Sequence, residues 1–90
     1  MKCPSFWLQM SLGLTDDPPR LGIIATKRIG NAVHRNRAKR LVRELYRKHK
    51  AFIPVSAQTV VVPRKAILKM VYTELESSFK DAVVKASNRL

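Results

Sequence analysis

The N-terminal part of the chain has an apolar pattern with a period of two. In the segment SFWLQMSL, Ser5 to Leu12, large apolar side chains occupy alternate positions, namely Phe6, Leu8, Met10 and Leu12. The positions between them fall on the opposite side of an extended chain and are Trp7, Gln9 and Ser11. This alternation predicts a half-buried β-strand with one face turned toward the core.

A turn and a second strand are predicted next. The segment TDDPP, Thr15 to Pro19, contains two acids and two prolines. Proline fixes φ and removes a backbone donor, which favours a turn, and we interpret Asp16 and Asp17 as turn residues and not as a metal-binding pair. Residues 20–26 predict a second strand, which we expect to pair with the first as an antiparallel hairpin.

The middle of the chain has the pattern of an amphipathic helix. Gly30 and Asn31 interrupt the strand pattern, and the Asn31 side chain is suited to cap a helix running to about Lys50. The apolar stripe of this helix consists of Ala38, Leu41, Val42, Leu45, Tyr46 and His49. The opposite side carries Asn36, Arg40, Arg43 and Arg47. We expect the stripe to pack on a sheet, which leaves the basic side facing away from that contact.

The last third of the chain predicts one more strand and one more helix. Pro54 ends the preceding segment, and QTVVV, Gln58 to Val62, is a β-branched run typical of a buried strand. The final helix is expected to begin near Met70 or at Thr73, because Thr73 and Glu76 resemble a capping box. Its apolar positions are Leu68, Tyr72, Leu75, Phe79, Ala82, Val83 and Ala86. The order strand, strand, helix, strand, helix predicts a single α+β domain over residues 1–90, built as a two-layer sandwich.

The charges of the chain are far from balanced. Eighteen Lys and Arg residues against six Asp and Glu residues give a net charge of +12, which favours a polyanionic partner. Cys3 is the single cysteine, so no intramolecular disulfide is possible, and no Cys/His set has the spacing of a zinc site. The apolar stretch near the N-terminus is short and is interrupted by Gln9 and Ser11, which favours neither a signal peptide nor a transmembrane span. We therefore expect a cytoplasmic protein, with Cys3 as an inert thiol.

The positive charge is concentrated in the predicted central helix. Ten of the eighteen basic residues lie between Lys27 and Lys50, and Glu44 is the single acid between Gly30 and Lys50. A helix face that only maintains solubility usually mixes signs to gain i,i+4 pairs. Arginine dominates here, and its planar guanidinium suits bidentate contacts with phosphate. The helix therefore favours nucleic acid over a membrane, because its apolar stripe is already required by the core. The lack of a helix-turn-helix pair disfavours classical reading of the DNA major groove and leaves RNA and DNA to be separated.

One long segment resembles a known family. The stretch RLGIIATKRIGNAVHRNRAKRLVRELYR, Arg20 to Arg47, is similar to the signature of the bacterial ribonuclease P protein family. That signature is a strand ending in Ser-Lys-Lys or similar, then Gly-x-Ala-Val, Arg-Asn-Arg-x-Lys-Arg and Arg-Glu. A looser similarity continues over TVVVPRKAI and the final helix.

The resemblance implies a particular fold. It implies a ribosomal protein S5 domain 2-like sandwich in which the central helix joins two parallel strands by a left-handed crossover, although general topology rules predict a right-handed one. It also implies that the chain is shortened, because members of the family usually begin with a further helix and a first strand bearing aromatic residues. We therefore expect one ribonuclease P protein domain that lacks most of these two elements.

The resemblance also implies a function. The family supplies the protein subunit of ribonuclease P, which binds the catalytic RNA and the 5′ leader of precursor tRNA. The leader is removed by phosphodiester hydrolysis that leaves a 5′-phosphomonoester, with the catalytic centre on the RNA and Mg²⁺ held mainly by the RNA subunit and the substrate. No catalytic residue, metal ligand or stable protein partner is implied for this chain. The RNA-binding residues carried over from the motif are Lys27, Arg28, Arg35, Asn36, Arg37, Lys39, Arg40, Arg43 and Arg47.

Several residues and functions have alternatives. Trp7 could stack on an unpaired base of the leader, or be buried between sheet and helix. His34 and His49 have no nucleophile and acid arranged for catalysis and are interpreted as structural or peripheral. The alternative function is that of a ribosomal-protein-like RNA-binding domain without a role in catalysis. A free-standing nuclease would need an acid cluster, which the sequence does not offer.

Overall fold

The fold consists of a small sheet covered on one face by two helices. The computed structural model describes residues 3–13 and 18–90. The described residues form three strands and two α-helices, namely β1 (Phe6–Leu12), β2 (Arg20–Ile23), α1 (Ala32–Lys48), β3 (Ala57–Pro63) and α2 (Tyr72–Asn88). Three short 3₁₀ helices connect them, the first at Lys27–Ile29, the second at Lys50–Phe52 and the third at Lys65–Leu68. The predicted α+β class and order of elements are confirmed.

The strands are arranged in the order β1-β3-β2. Strand β3 lies in the centre, antiparallel to β1 with Phe6 opposite Pro63, and parallel to β2 with Arg20 opposite Gln58. The predicted hairpin between the first two strands is therefore wrong. The Val-rich β3 has no exposed residue along its length, whereas two of the four residues of β2 are exposed, so β3 is the strand suited to the sheltered central position.

The parallel pairing agrees with the expected connection through the central helix. Helix α1 follows β2 and precedes β3, and these two strands are parallel neighbours. The left hand of this crossover stays a prediction. Within the segment predicted as a turn, Thr15, Asp16 and Asp17 lie outside the described residues, while Pro18 and Pro19 precede β2 in irregular structure.

Helix α1 begins as the sequence predicts. The Asn31 side chain accepts a hydrogen bond from the backbone N–H of His34 at 3.0 Å, which satisfies one of the free amides of the first turn. Gly30, just before it, has a φ of 142°. A Cβ at this position would lie 2.9 Å from Nδ1 of His34, so both the backbone conformation and the close packing require glycine.

One core lies between the sheet and both helices. From α1 it receives the predicted stripe, with Ala38, Val42 and Leu45 fully buried and Leu41 partly so. From β1 it receives Phe6, Leu8 and Met10, and the Phe6 ring packs 5.7 Å from the Phe79 ring of α2. The prediction that Leu12 also faces the core is wrong. Its side chain is 61% exposed because β1 ends there and no helix covers it.

Helix α2 begins at Tyr72, between the two predicted starts. The residue before it, Val71, provides no side-chain cap, and Thr73 already lies within the first turn, so the capping-box interpretation is wrong. The predicted apolar face is confirmed by five buried side chains: Leu75, Phe79, Ala82, Val83 and Ala86.

Candidate nucleic-acid interface

The exposed side of α1 forms a basic ridge. We define this ridge as the exposed side chains Asn36, Arg40, Arg43 and Arg47. With about 100° and 1.5 Å per residue, these four positions fall within one narrow stripe roughly 16 Å long. The stripe lies opposite the buried positions Val42 and Leu45, because those side chains anchor α1 on the sheet. The core therefore fixes the direction in which the guanidinium groups point.

The other predicted RNA-binding residues flank this ridge. Helical geometry places Arg35 and Lys39, both partly buried, on one flank and the exposed Arg37 on the other. Lys27 and Arg28 are exposed in the first 3₁₀ helix, which leads through Gly30 into α1. The structure thus places all nine predicted residues on or directly before one helix, although they do not share a single face.

Eight of these nine residues are cations, and none of the eight forms an ion pair with an acid of the described residues. Among the described residues, Lys48 forms an ion pair with Glu44 at 3.8 Å, and Nε2 of His49 lies 3.9 Å from a carboxylate oxygen of Glu76. Neither pair includes a residue of the ridge or its flanks. Tyr46 lies beside the flank of Arg35 and Lys39, and burial raises the pKa of its phenol, so it adds no negative charge there. An external anion is needed to balance this surface.

A hollow containing Trp7 adjoins the start of the basic segment. Trp7 is half-buried and pairs with Val62 on the sheet face that points away from both helices. The interpretation of Trp7 as buried between sheet and helix is therefore wrong. The hollow has a volume of about 570 Å³ and is lined by Trp7, Thr26, Arg28, Ile29, Val62, Pro63, Arg64 and Lys65. We call it the Trp7 hollow.

The Trp7 hollow brings together groups that are far apart in the sequence. Arg28 precedes α1, whereas Arg64 and Lys65 follow β3, and all three line the same concavity as the indole. An aromatic ring beside several cations is the combination used by proteins that bind single-stranded nucleic acid. Arg64 and Lys65 were not among the RNA-binding residues predicted from the sequence. Their signal was the pair of cations directly after the buried strand β3, where the chain leaves the sheet beside β1.

The two histidines lie in different surroundings. His34 is exposed and packs against Gly30. His49 is 5% exposed, its Nδ1 lies 2.8 Å from the carbonyl oxygen of Leu45, and its ring lies near those of Phe52 and Phe79. This geometry gives His49 a structural role at the end of α1, which agrees with the prediction. The nearby Glu76 was not anticipated, because it lies on α2, 27 positions later in the chain.

Cys3 is partly buried against the core. Burial raises the pKa of the Cys3 thiol, which disfavours the reactive thiolate and fits the interpretation of an inert side chain. Over residues 3–13 and 18–90, no group of three His, Cys, Asp or Glu side chains is placed to hold a metal ion. In the same part of the chain, no helix has the length and hydropathy needed to cross a bilayer.

Comparison with known proteins identifies relatives over nearly the whole chain. A family model described as Ribonuclease P matches residues 1–87. The Ribonuclease P protein component of Desulforapulum autotrophicum is 38% identical over 82 residues, which cover 87% of this chain and 70% of the relative. That of Petrotoga mobilis is 37% identical over 76 residues, covering 84% and 64%. The chain therefore spans 64–70% of the length of these two curated relatives.

A solved structure shows the same fold. The RNase P protein from Thermotoga maritima matches with a TM-score of 0.82 and 27% sequence identity, over 94% of this chain and 80% of that one. The three-stranded sheet and two helices described above therefore correspond to most of a known protein structure.

Proposed function

Because the chain belongs to the ribonuclease P protein family, we propose that it acts as the protein subunit of ribonuclease P, the endoribonuclease that processes the 5′ ends of tRNA. It would bind the catalytic RNA of that enzyme and the 5′ leader of precursor tRNA. The observation that carries this proposal is the basic ridge of α1, which is held rigidly by the core and has no acidic partner among the described residues.

The ridge and its flanks supply the groups needed to bind an RNA backbone. The guanidinium groups of Arg40, Arg43 and Arg47 can each donate two parallel hydrogen bonds to a phosphate. Asn36 offers both a donor and an acceptor at one end of the stripe, which suits a sugar hydroxyl or a base edge. Such contacts position an RNA and carry little sequence information by themselves. We therefore propose that α1 recognises the shape of the catalytic RNA.

The Trp7 hollow is proposed to hold the leader. The indole would stack on an unpaired base, while Arg28, Arg64 and Lys65 would neutralise the adjacent phosphates. Thr26, which also lines this hollow, has a hydroxyl that can form a hydrogen bond with a sugar or phosphate oxygen. A leader RNA in this hollow would lie next to Lys27 and Arg28, where the basic segment leading into α1 begins.

Catalysis is proposed to belong to the RNA subunit. The described residues do not offer a set of side chains for Mg²⁺, so they do not fit a metal centre on the protein. We propose that Mg²⁺ is bound by the RNA subunit and the substrate, where it would stabilise the charge that develops on the phosphodiester. The part of this chain is to bring two polyanions together by neutralising their phosphates. Such a protein would work in the cytoplasm.

The type of sandwich and the hand of the crossover between β2 and β3 are also proposed. We propose the ribosomal protein S5 domain 2-like sandwich, with which the parallel pair of β2 and β3 joined by α1 is compatible. The left hand of the crossover is proposed from the family resemblance alone. The alternative function, a ribosomal-protein-like RNA-binding domain without a role in catalysis, shares the basic helix. It is not favoured, because both the family model and the curated relatives point to ribonuclease P.

A competition experiment separates these two functions. Labelled bacterial ribonuclease P RNA is bound to the protein at physiological salt and displaced by unlabelled ribonuclease P RNA or by a ribosomal RNA fragment of the same length. The proposed function predicts displacement by the first at a concentration at least tenfold lower than by the second. Equal displacement by both RNAs would support the alternative.

A further inference from the structure

A second hollow lies where the third 3₁₀ helix packs against the start of α1. It has a volume of about 430 Å³ and is lined by Ile29, Gly30, Asn31, His34, Arg37, Lys65, Leu68 and Lys69. We call it the Lys69 cleft. Its cations come from two separate segments, Arg37 from α1 and Lys65 and Lys69 from the region after β3. Lys69 and His34 belong neither to the family motif nor to the Trp7 hollow.

The Lys69 cleft is strongly positive. Arg37, Lys65 and Lys69 are all exposed, and no Asp or Glu is among the described residues that line the cleft. The carboxylates that contact a basic side chain among the described residues are Glu44 and Glu76, and neither lines the cleft. Three like charges around one concavity repel one another, and a bound anion relieves that repulsion. A surface that only maintained solubility would gain from an interspersed acid.

The cleft also has a firm apolar floor. Ile29 is only 1% exposed and Leu68 is partly buried, and both pack into or against the core. The cations therefore project from a surface that the core holds in place. A volume of about 430 Å³ is within the range of clefts that bind small ligands. An apolar floor with a cationic rim suits a nucleotide, whose sugar and base have apolar faces and whose phosphate is charged.

The cleft adjoins the Trp7 hollow. Ile29 and Lys65 line both concavities, so Lys65 stands at the boundary between them. A single-stranded RNA that runs from the indole of Trp7 past Lys65 into the Lys69 cleft meets no acidic side chain among the residues that line the two concavities. Each phosphate along that path would have a cation beside it.

We infer that the Lys69 cleft binds the phosphodiester backbone of the same leader strand whose base stacks on Trp7. This inference rests on the proposed function, because it extends the leader site proposed for the Trp7 hollow. Lys69 neutralises a phosphate beyond the stacked nucleotide, Lys65 neutralises the phosphate between the two concavities, and Arg37 links the cleft to the flank of the ridge.

The experiment uses the tryptophan as a reporter. Trp7 is the single tryptophan of the chain, so the quenching of its fluorescence reports occupancy of the Trp7 hollow. The protein is titrated with a dinucleotide and with a labelled single-stranded RNA of about eight nucleotides, a length comparable to known single-strand binding sites. Binding of the longer strand is also followed by anisotropy. The variants are Lys69→Gln, Lys69→Arg and the matched control Lys80→Gln.

Lys80 is a suitable control because it is an exposed lysine that lines a different hollow, on α2. The inference predicts that Lys69→Gln weakens binding of the longer RNA by about three- to tenfold at low salt. The log–log dependence of that affinity on salt should also become less steep by about 0.7, the contribution of one phosphate in single-stranded RNA. The dinucleotide should bind all variants alike. Lys69→Arg should restore the affinity for the longer RNA, and Lys80→Gln should leave that affinity unchanged.

Other outcomes overturn the inference in distinguishable ways. If the longer strand quenches Trp7 and binds Lys69→Gln as tightly as the unaltered protein, the cleft is not part of the leader site and the proposed function stands. If Lys69→Gln weakens binding but no strand quenches Trp7, the two concavities do not share a strand. If the unaltered protein binds neither the strands nor ribonuclease P RNA, the proposed function fails together with the inference.

A final comparison identifies the strand as the leader. With ribonuclease P RNA present, Lys69→Gln should weaken the binding of precursor tRNA with a long leader and leave that of mature tRNA unchanged. Equal weakening of both would overturn the assignment of the cleft to the leader.

Discussion

At the scale of single residues, the two sides of α1 have separable roles. Arg40 and Arg43 are exposed on the ridge, whereas Leu45 is fully buried in the core. We expect Arg40→Ala and Arg43→Ala each to weaken binding to ribonuclease P RNA with little effect on thermal unfolding. Leu45→Ala should lower the free energy of unfolding by about 2–5 kcal/mol, because it removes buried methyl groups and leaves a cavity. Melting curves and a binding titration of the three variants check this prediction, and the reverse pattern would mean that the faces of α1 are assigned backwards.

Gly30 is the residue whose conformation the start of α1 depends on. Its φ of 142° and ψ of −152° belong to a region that is essentially restricted to glycine. We expect Gly30→Ala to reduce stability by about 1–3 kcal/mol, measured by denaturant unfolding. A second variant, Gly30→Ala with His34→Ala, removes the ring that a Cβ would approach at 2.9 Å. The double variant should recover part of the loss and not all of it, because the backbone strain remains. Full recovery would show that only the contact with His34 matters.

At the scale of elements, the sequence predicts helices more reliably than strand partners. The stripe from Ala38 to Tyr46 and the cap at Asn31 were both found in place, because they depend on residues within one or two helical turns. The antiparallel hairpin predicted between the first two strands was wrong, whereas the parallel pair joined by the central helix, which the family resemblance implied, was found. Two strands close in sequence usually form a hairpin, whereas here each pairs with β3, more than 30 positions after β2. Which strands pair depends on how much apolar surface each one buries in the complete sheet, and a single strand does not show this.

The candidate site shows the same division. The ridge residues lie on one helix, so their common side follows from helical spacing alone. The Trp7 hollow and the Lys69 cleft combine residues from before α1 and after β3. Sequence patterns over a few neighbouring residues do not predict which distant residues come together. Lys27 and Arg28 before α1 were predicted as RNA-binding residues, whereas Arg64 and Lys65 after β3 reach the same hollow only through the fold.

Helix α1 also predicts a particular dependence on salt. Each phosphate neutralised by the ridge releases counterions, so the affinity for structured RNA should fall with a log–log slope of roughly −0.7 to −0.9 per phosphate. The double variant Arg40→Gln with Arg43→Gln should reduce the magnitude of the slope by roughly 1.4–1.8, because two phosphate contacts are lost. Affinities measured from low to physiological salt test this. A binding constant that hardly changes with salt would exclude binding dominated by phosphate contacts.

At the scale of the whole molecule, the net charge of +12 on 90 residues should influence stability. Self-repulsion of the folded chain is screened by salt, with a Debye length of about 10 Å at 0.1 M. We expect the melting temperature to rise between low-salt buffer and about 0.15 M NaCl, the physiological ionic strength. The triple variant Arg40→Gln, Arg43→Gln and Arg47→Gln should melt higher at low salt and gain less from added NaCl. A melting temperature independent of NaCl would show that the charges are too far apart or too well solvated to matter.

The central claim is that this chain assists a catalytic RNA and does not itself cleave. It is tested most directly by a magnesium titration of precursor tRNA processing with purified protein, with bacterial ribonuclease P RNA, and with both. The account predicts no cleavage by the protein, cleavage by the RNA at high Mg²⁺, and cleavage by the mixture at lower Mg²⁺, because the cations of the protein replace part of the phosphate screening by magnesium. Accurate 5′ cleavage by the RNA-free protein would contradict the claim, as would a mixture whose magnesium requirement equals that of the RNA alone.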